Sequence, residues 1–285
     1  MRMKAFLFTF SLALCIFIIG FSVRQDSVPT ISGTSPKVKL PAIMYHSILK
    51  DPFRTGEYVV TPESFENDLI YLKEHGYTAI FPSQITDFCE NGIPLPEKPV
   101  LITFDDGHLN NMTYALPLLE KYGMNAVINI VGAFTEQAEK ENDPNPYYAY
   151  LRRDDILSMK ESGHIEFGCH TYNFHSLNGR NGASINKGEA PEHFKKLFRE
   201  DISKWNDMFS GKYKLETDIF AYPFGFRSDE GDEVLEENGF KIILTCRESC
   251  NYLEYSGEKK LIFIDRFNRS GLLTTEEFMA KSGIN

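Results

Sequence analysis

Two adjacent carboxylates, Asp105 and Asp106, stand where an apolar run of residues ends. That run, residues 100–104, is typical of a buried strand, and Gly107 allows the chain to turn sharply away from it. The turn can aim both carboxylates into one site, where two like charges are costly unless they share a cation or a proton. The alternative is an acidic turn or helix cap, the ordinary role of an Asp-Asp-Gly triplet.

Two histidines follow a second strand-like stretch, residues 165–169. His170 and His175 are five positions apart, so their side chains converge only if a loop lies between them. Two imidazoles and one carboxylate form the facial set that holds a divalent metal and leaves positions open for water and substrate. The alternative is a pair of polar loop histidines without a ligand.

Two further strand ends carry candidate residues. In the stretch 220–225, Pro223 and Gly225 predict an irregular turn in which a backbone N–H faces a developing oxyanion. A simple strand-to-helix turn is the alternative. His46 ends the strand-like residues 42–46, where either a catalytic or a structural, hydrogen-bonded histidine fits.

A helix–glycine–strand pattern recurs four times, and its glycines occupy the expected left-handed C-cap: Gly76, Gly123, Gly163 and Gly239. Strands that alternate with helices predict a parallel sheet. About seven or eight strands are counted, which favours an α/β fold of the distorted (β/α)7-8 barrel type over a doubly wound open sheet. A barrel places its site at the C-terminal ends of the strands, where the candidate residues lie.

Composition and the N-terminal residues limit which partners and which cellular location the chain can have. The formal net charge of -10 over 285 residues argues against nucleic acid as a partner. No phosphate-binding glycine motif follows a strand, so no nucleotide cofactor is expected. Residues 5–23 are almost entirely apolar and follow Arg2 and Lys4, which predicts a membrane anchor over residues 1–23. A cleaved signal segment is the alternative, and both export the remaining chain.

The rest of the chain divides into a short tether and one domain. Residues 24–39 are polar and predict a linker, and residues 40–285 would form the catalytic domain. Cys246 and Cys250 could form a disulfide, but the sparing use of cysteine indicates a fold that depends on its core. Because the chain has no CxxC pair, a structural zinc knuckle is not expected.

The combined motifs resemble those of the polysaccharide deacetylases of the NodB-homology group, carbohydrate esterase family 4. TFDDG at 103–107 matches the first motif of that family. HTYNFH at 170–175 matches the second, in the longer-spaced form of poly-N-acetylglucosamine deacetylases. MYHSI at 44–48 and AYPFG at 221–225 are also similar to members of that branch. The resemblance covers residue 41 to the C-terminus and implies the NodB type of barrel.

The resemblance implies hydrolytic removal of N-acetyl groups from an extracellular polymer that contains N-acetylglucosamine, such as cell wall or exopolysaccharide. Asp106, His170 and His175 would hold a divalent metal, with Zn²⁺ as the first choice and Co²⁺, Ni²⁺ or Mn²⁺ as alternatives. Asp105 would be the general base that takes a proton from the attacking water. The residues expected to bind the oxyanion or the substrate are Phe224, through its N–H, and Tyr222, Pro223 and Gly225.

The sequence departs from the family pattern at two places. Ala221 stands where the third motif usually has an arginine that pairs with the base. Arg266 is the candidate replacement, and a surface salt bridge is the alternative role for it. The late Leu-x-x-x-His motif, which usually supplies the general acid, is absent, and no histidine lies beyond His193. The similar branch places the acid in its early Tyr-His segment, so the resemblance implies His46 as the general acid. Deacylation of another acylated sugar or small amide, or glycan binding without catalysis, are the alternative functions.

Overall fold

The computed structural model describes residues 37–285. The predicted anchor, residues 1–23, and the predicted linker as far as residue 36 lie outside the described residues. Strand β1 begins at Val38, inside the stretch predicted as linker. Between residues 37 and 285, no helix has the length and apolar character needed to cross a membrane.

Strands and helices alternate along the described chain. The strands are β1 Val38–Leu40, β2 Ala42–Tyr45, β3 Ser47–Ile48, β4 Val59–Val60, β5 Thr78–Ala79, β6 Pro99–Phe104, β7 Ala126–Ile130, β8 Ile165–Cys169, β9 Ile219–Ala221, β10 Ile242–Leu244, β11 Asn251–Leu253, β12 Ile262–Ile264 and β13 Phe267–Asn268. The α-helices are α1 Pro62–Glu74, α2 Pro82–Asn91, α3 Leu116–Tyr122, α4 Gly132–Glu141, α5 Arg153–Glu161, α6 Pro191–Asn206, α7 Asp229–Glu237 and α8 Thr275–Lys281.

Eight strands form a parallel sheet in the order β12-β10-β9-β8-β7-β6-β2-β13, and β5 pairs with β6 outside this path. Every residue of β6 is buried, as expected for a parallel strand that is covered on both faces. The two edge strands, β12 and β13, are separated in sequence only by Asp265 and Arg266. Three Cα–Cα steps of 3.8 Å therefore keep the edges within about 11 Å of each other. The sheet curls into a distorted barrel, which confirms the predicted fold class.

Alternate strand residues pack into two layers, because successive side chains point to opposite faces. In β6, Ile102 and Phe104 belong to the outer layer, which packs against the helices. Leu101 belongs to a separate inner cluster with residues of the neighbouring strands. Asp105 shares the parity of Leu101 and Thr103, so strand alternation aims it into the barrel at its C-terminal mouth.

The predicted helix–glycine–strand pattern is confirmed, since Gly76, Gly123, Gly163 and Gly239 all have positive φ angles. The sequence did not predict α2, α4 or α8, which are short helices of 10, 10 and 7 residues. Helices of this length depend on tertiary packing for stability, which local sequence signals do not report. Helix α6 ends at Asn206, and the chain continues as a π turn from Asp207 to Lys212.

Candidate active site

The Asp-Asp-Gly turn after β6 begins one residue earlier than the sequence indicated. Asp106 itself has a φ of 72°, and Gly107 follows with a φ of 73°. Asp is one of the residue types that tolerates this left-handed region, at a cost of about 1–3 kcal/mol. At Gly107 an added Cβ would lie 2.9 Å from the Ile130 side chain, so the position requires glycine. The turn separates the two carboxylates and gives each its own surroundings.

Asp105 forms a buried, bidentate ion pair with Arg266. Nη1 and Nη2 of the guanidinium donate to Oδ1 and Oδ2 at 2.7 and 2.8 Å. The amide of Asn129 also donates to Oδ1, at 2.7 Å. Burial alone would raise the pKa of the Asp105 carboxyl, but the charge of Arg266 and the neighbouring His170 hold that pKa well below its usual range. Asp105 is therefore ionised at neutral pH.

Arg266 reaches this position from the two-residue connection between β12 and β13. Its side chain is fully buried, so the structure excludes the surface salt bridge that the sequence left open. Its remaining hydrogen bonds go to the Thr103 hydroxyl at 3.1 Å and to the Thr245 carbonyl at 3.0 Å. The guanidinium thus occupies the place beside Asp105 that Ala221 cannot fill.

Asp106, His170 and His175 converge on one point at the barrel mouth. Their ligand atoms all lie within 4.8 Å of one another. Oδ1 of Asp106 is 3.6 Å from Nε2 of His170 and 3.1 Å from Nε2 of His175. The loop between the two histidines produces the convergence that a helix or a strand could not.

Three observations show that this group fits a divalent metal. Oδ1 of Asp106 is buried and has no hydrogen-bond partner among residues 37–285, although both imidazoles lie near it. Nδ1 of His170 is 2.7 Å from the Ala221 carbonyl, which orients the ring so that Nε2 faces the cluster. Burial lowers the pKa of His170 to about 4, so the ring is in the neutral form that ligates metals.

His46 lies at the same mouth, after β2. It lines the cavity that holds the metal cluster, and its ring packs edge-on against Tyr58 at a centroid distance of 4.9 Å. Nδ1 of His46 is buried and has no hydrogen-bond partner in the described part of the chain. Burial lowers the pKa of His46, while the charges of Asp105 and Asp106 act in the opposite direction. The structural role that the sequence left open would require a hydrogen bond to that ring, and Nδ1 forms none.

The turn after β9 brings one of its four predicted residues into the cavity. Phe224 lines it and packs against His175 at a centroid distance of 4.5 Å. Tyr222, which the resemblance implied for substrate binding, does not line the cavity: it shares the outward parity of Phe220, and its hydroxyl donates a hydrogen bond to Asp232. Pro223 and Gly225 do not line the cavity either, and they act by shaping the turn in which Phe224 has a φ of 58°.

The cavity at the barrel mouth has a volume of about 760 Å³. The predicted site residues that line it are His46, Asp105, Asp106, His170, His175 and Phe224. Leu177, in the long connection between β8 and α6, also lines the cavity. Cys246 is a further lining residue, and both Cys246 and Cys250 are free thiols, so the disulfide left open by the sequence is not formed.

Sequence reasoning missed two residues that contact the carboxylates of Asp105 and Asp106. Nε2 of His108 lies 3.4 Å from Oδ2 of Asp106, and its ring stacks on Tyr150. His108 directly follows the TFDDG motif, which was the available signal. Asn129 donates to Asp105 from within β7, and a polar residue inside an otherwise apolar strand was the signal for it.

Fold and site together define an α/β barrel with a candidate divalent-metal centre and a paired carboxylate at its mouth. The family model described as polysaccharide deacetylase matches residues 92–243, which is more than half of the chain. The chain therefore belongs to the polysaccharide deacetylase family and is a hydrolase of that family.

Individual relatives agree with this family. The YxkH protein of Bacillus subtilis (strain 168), named for the same family, is 26% identical over 223 residues, covering 78% of this chain and 70% of that protein. A poly-β-1,6-N-acetyl-D-glucosamine N-deacetylase of Staphylococcus epidermidis (strain ATCC 35984 / RP62A) is 25% identical over 225 residues, covering 79% and 74%. The structure of IcaB from Ammonifex degensii superposes with a TM-score of 0.68 at 25% identity, covering 88% and 97%.

The two carboxylates should separate by substitution. Asp106→Ala removes a candidate metal ligand and should weaken Zn²⁺ binding by more than about 100-fold. Substitution of a residue that only holds a ligand in place costs less than this. Asp105→Asn should retain Zn²⁺ and lower turnover by about 10²–10⁴, the range for loss of a general base. Isothermal titration with Zn²⁺ and an acetate-release assay measure the two effects. Equal loss of Zn²⁺ in both variants would contradict this division of roles.

Removal of Arg266 should affect stability as well as turnover. Arg266→Ala leaves Asp105 buried without its partner and should lower the free energy of unfolding by about 3–5 kcal/mol. The control is Arg199→Ala, which removes a guanidinium from an equally bidentate but exposed pair with Glu237 and should cost less than about 1 kcal/mol. Urea denaturation at neutral pH measures both. Similar losses in the two variants would show that the Asp105–Arg266 pair is not buried in solution.

Proposed function

We propose that this chain is a metal-dependent N-deacetylase that acts outside the cell on a polymer containing N-acetylglucosamine. The observation that carries the proposal is the convergence of Asp106, His170 and His175 beside the ionised Asp105 in one cavity. The cavity volume is in the range of pockets that enclose small ligands or single units of a polymer. The name of the Staphylococcus epidermidis relative supports a β-1,6-linked polymer as the substrate.

Asp106, His170 and His175 would hold the metal, and we assign it as Zn²⁺ because two imidazoles and a carboxylate are a common donor set for that ion. Co²⁺, Ni²⁺ and Mn²⁺ are alternatives for the same donors. When bound, a divalent ion polarises the acetyl carbonyl and brings the pKa of a coordinated water to about 7. The neutral state of His170 and the free Oδ1 of Asp106 support this assignment.

Asp105 accepts the proton of the attacking water in this proposal. Its Oδ1 accepts hydrogen bonds from both Asn129 and Arg266, whereas Oδ2 accepts one from Arg266. Oδ2 therefore keeps a lone pair for the transferred proton. The low pKa of Asp105 keeps it ionised and makes it a weak base, so the reaction depends on a water that is already acidified.

His46 gives a proton to the leaving amine, and the N–H of Phe224 donates to the developing oxyanion. Both residues line the same cavity as the metal cluster. The left-handed turn at Phe224 changes the direction of the backbone beside His175, which supports a role for its N–H.

The same proposal places the catalytic domain outside the cell membrane. The apolar residues 5–23 and the preceding Arg2 and Lys4 support a single N-terminal anchor with an exported domain. Cleavage of the segment would instead release a secreted enzyme. Fractionation of cells with an antibody against the catalytic domain separates these two outcomes.

The proposed activity is tested by acetate release from defined glycans. We expect acetate from β-1,6-linked N-acetylglucosamine oligomers, loss of the activity in EDTA, and recovery on addition of Zn²⁺. Chito-oligosaccharides and acetylxylan serve as comparison substrates. Acetate from acetylxylan alone would assign another acyl substrate, whereas Zn²⁺ binding without any acetate release would indicate a glycan-binding protein.

The assignment of the general acid is tested by His46→Gln, which keeps a polar side chain that cannot transfer a proton. Turnover should fall by about 10²–10⁴, and the decline of the rate at alkaline pH should disappear, because that decline reports loss of the imidazolium proton. His108→Gln is the matched control from the same cavity and should keep the alkaline decline. An unchanged pH profile in His46→Gln would assign the acid to another group.

A further inference from the structure

The turn between the two ligand histidines is held by a carboxylate from outside the cavity. Asp201, on α6, accepts the N–H of Tyr172 through Oδ1 at 2.8 Å and the N–H of Asn173 through Oδ2 at 2.7 Å. One side chain thus binds two consecutive backbone donors between His170 and His175. Charge-assisted bonds of this length are about twice as strong as neutral ones.

This turn has a backbone conformation that its own sequence does not favour. Thr171 is fully buried and has a φ of 70°, a region that a β-branched residue rarely adopts. Such a residue costs about 1–3 kcal/mol and persists only where its surroundings enforce it. Within the turn, the Thr171 hydroxyl accepts the N–H of Phe174 at 3.1 Å. The two bonds to Asp201 supply the constraint from a second element.

His175 depends on this turn more than His170 does. The His170 ring is oriented by the Ala221 carbonyl at its Nδ1, whereas Nδ1 of His175 has no hydrogen-bond partner among residues 37–285, and the Nε2 of His175 contacts only Asp106, at 3.1 Å. The His175 ring lies between Phe134 and Phe224, at centroid distances of 5.5 and 4.5 Å. The backbone of the turn and this packing therefore determine where Nε2 of His175 is placed.

The charge of Asp201 does not stabilise helix α6 through an ion pair. Asp201 is buried, and no cationic side chain of the described residues forms a salt bridge with it. Burial raises its pKa to about 6, although the two backbone N–H groups act to lower it. Because the pKa is raised on folding, the ionised carboxylate lowers the stability of the fold at neutral pH.

We propose that Asp201 is a positioning residue of the metal site, which holds residues 171–174 so that His175 meets His170 and Asp106. The inference rests on the proposed metal-dependent function and assigns a role in it to a residue that touches neither metal nor substrate. Its loss should release the strained turn, displace His175 and weaken metal binding without removing any ligand.

The test is Asp201→Asn, which leaves one acceptor oxygen and places an NH₂ group against the second backbone N–H. Zn²⁺ affinity, measured by competition with a chromophoric chelator, should fall by about 10–100-fold. The urea midpoint of the metal-free protein should change little, because the lost bonds are offset by removal of a buried charge. A purely structural role would lower that midpoint and leave the Zn²⁺ affinity of the folded protein unchanged.

A matched control is Asp155→Asn on α5. Asp155 is also a buried helix carboxylate that accepts a backbone N–H, from Arg152 at 3.0 Å, but it lies outside the histidine turn. Its substitution should leave Zn²⁺ affinity within twofold of wild type. Thr171→Asn provides a rescue, because Asn tolerates positive φ and keeps an acceptor for Phe174. In this background, Asp201→Asn should lose less Zn²⁺ affinity.

The outcomes separate this inference from the proposed function. If the wild type binds no Zn²⁺, the proposed function fails and the role of Asp201 fails with it. If the wild type binds Zn²⁺ and Asp201→Asn binds it equally well, only the role of Asp201 is overturned. If that variant does not fold, amide hydrogen exchange of the metal-free wild type tests instead whether Asp201 holds the turn. The Tyr172 and Asn173 amides should exchange slowly, and fast exchange would overturn the inference.

Discussion

The buried pair of Arg266 and Asp105 connects the closure of the barrel to the chemistry at its mouth. Arg266 lies in the two-residue link between the edge strands, and Asp105 directly follows strand β6. Taking both charges out of water costs several kcal/mol, which the bidentate bonds and the contacts to Thr103 and Thr245 offset. The pair is therefore weak as a source of stability. Its consequence is an ionised carboxylate that stands beside a second one without a shared proton.

Backbone strain is concentrated around the same mouth. Asp106, Thr171 and Phe224 have positive φ angles, and they follow the ends of β6, β8 and β9. Asp106 and Phe224 line the cavity and Thr171 directly follows His170, which also lines it, so each turn stands beside the cavity at a cost of about 1–3 kcal/mol. The parallel sheet and the packed outer layer tolerate this cost, because they hold the strand ends in place. Asp201 extends this support to the histidine turn.

The position of Arg266 shows how a barrel can supply one group from different strands. Ala221, at the end of β9, occupies the position where the resemblance led us to expect an arginine. The guanidinium comes instead from Arg266, which follows β12. All parallel strands end at one mouth, so residues distant in sequence reach the same carboxylate. The pKa of Asp105 depends on where the guanidinium lies in space. The position of the arginine in the chain is therefore free to vary.

The sequence alone predicted the parallel α/β barrel, through the alternation of strands with helices and the glycines that end those helices. It also indicated the residues that meet at the mouth, because local motifs such as TFDDG and HTYNFH carry several ligands within a few positions. The folded chain was needed to show that Arg266 is buried on Asp105, that Tyr222 faces the helices, and that Asp201 accepts hydrogen bonds from the histidine turn. These contacts join elements far apart in the chain, and their geometry depends on how the sheet curls, which no local pattern of residues encodes.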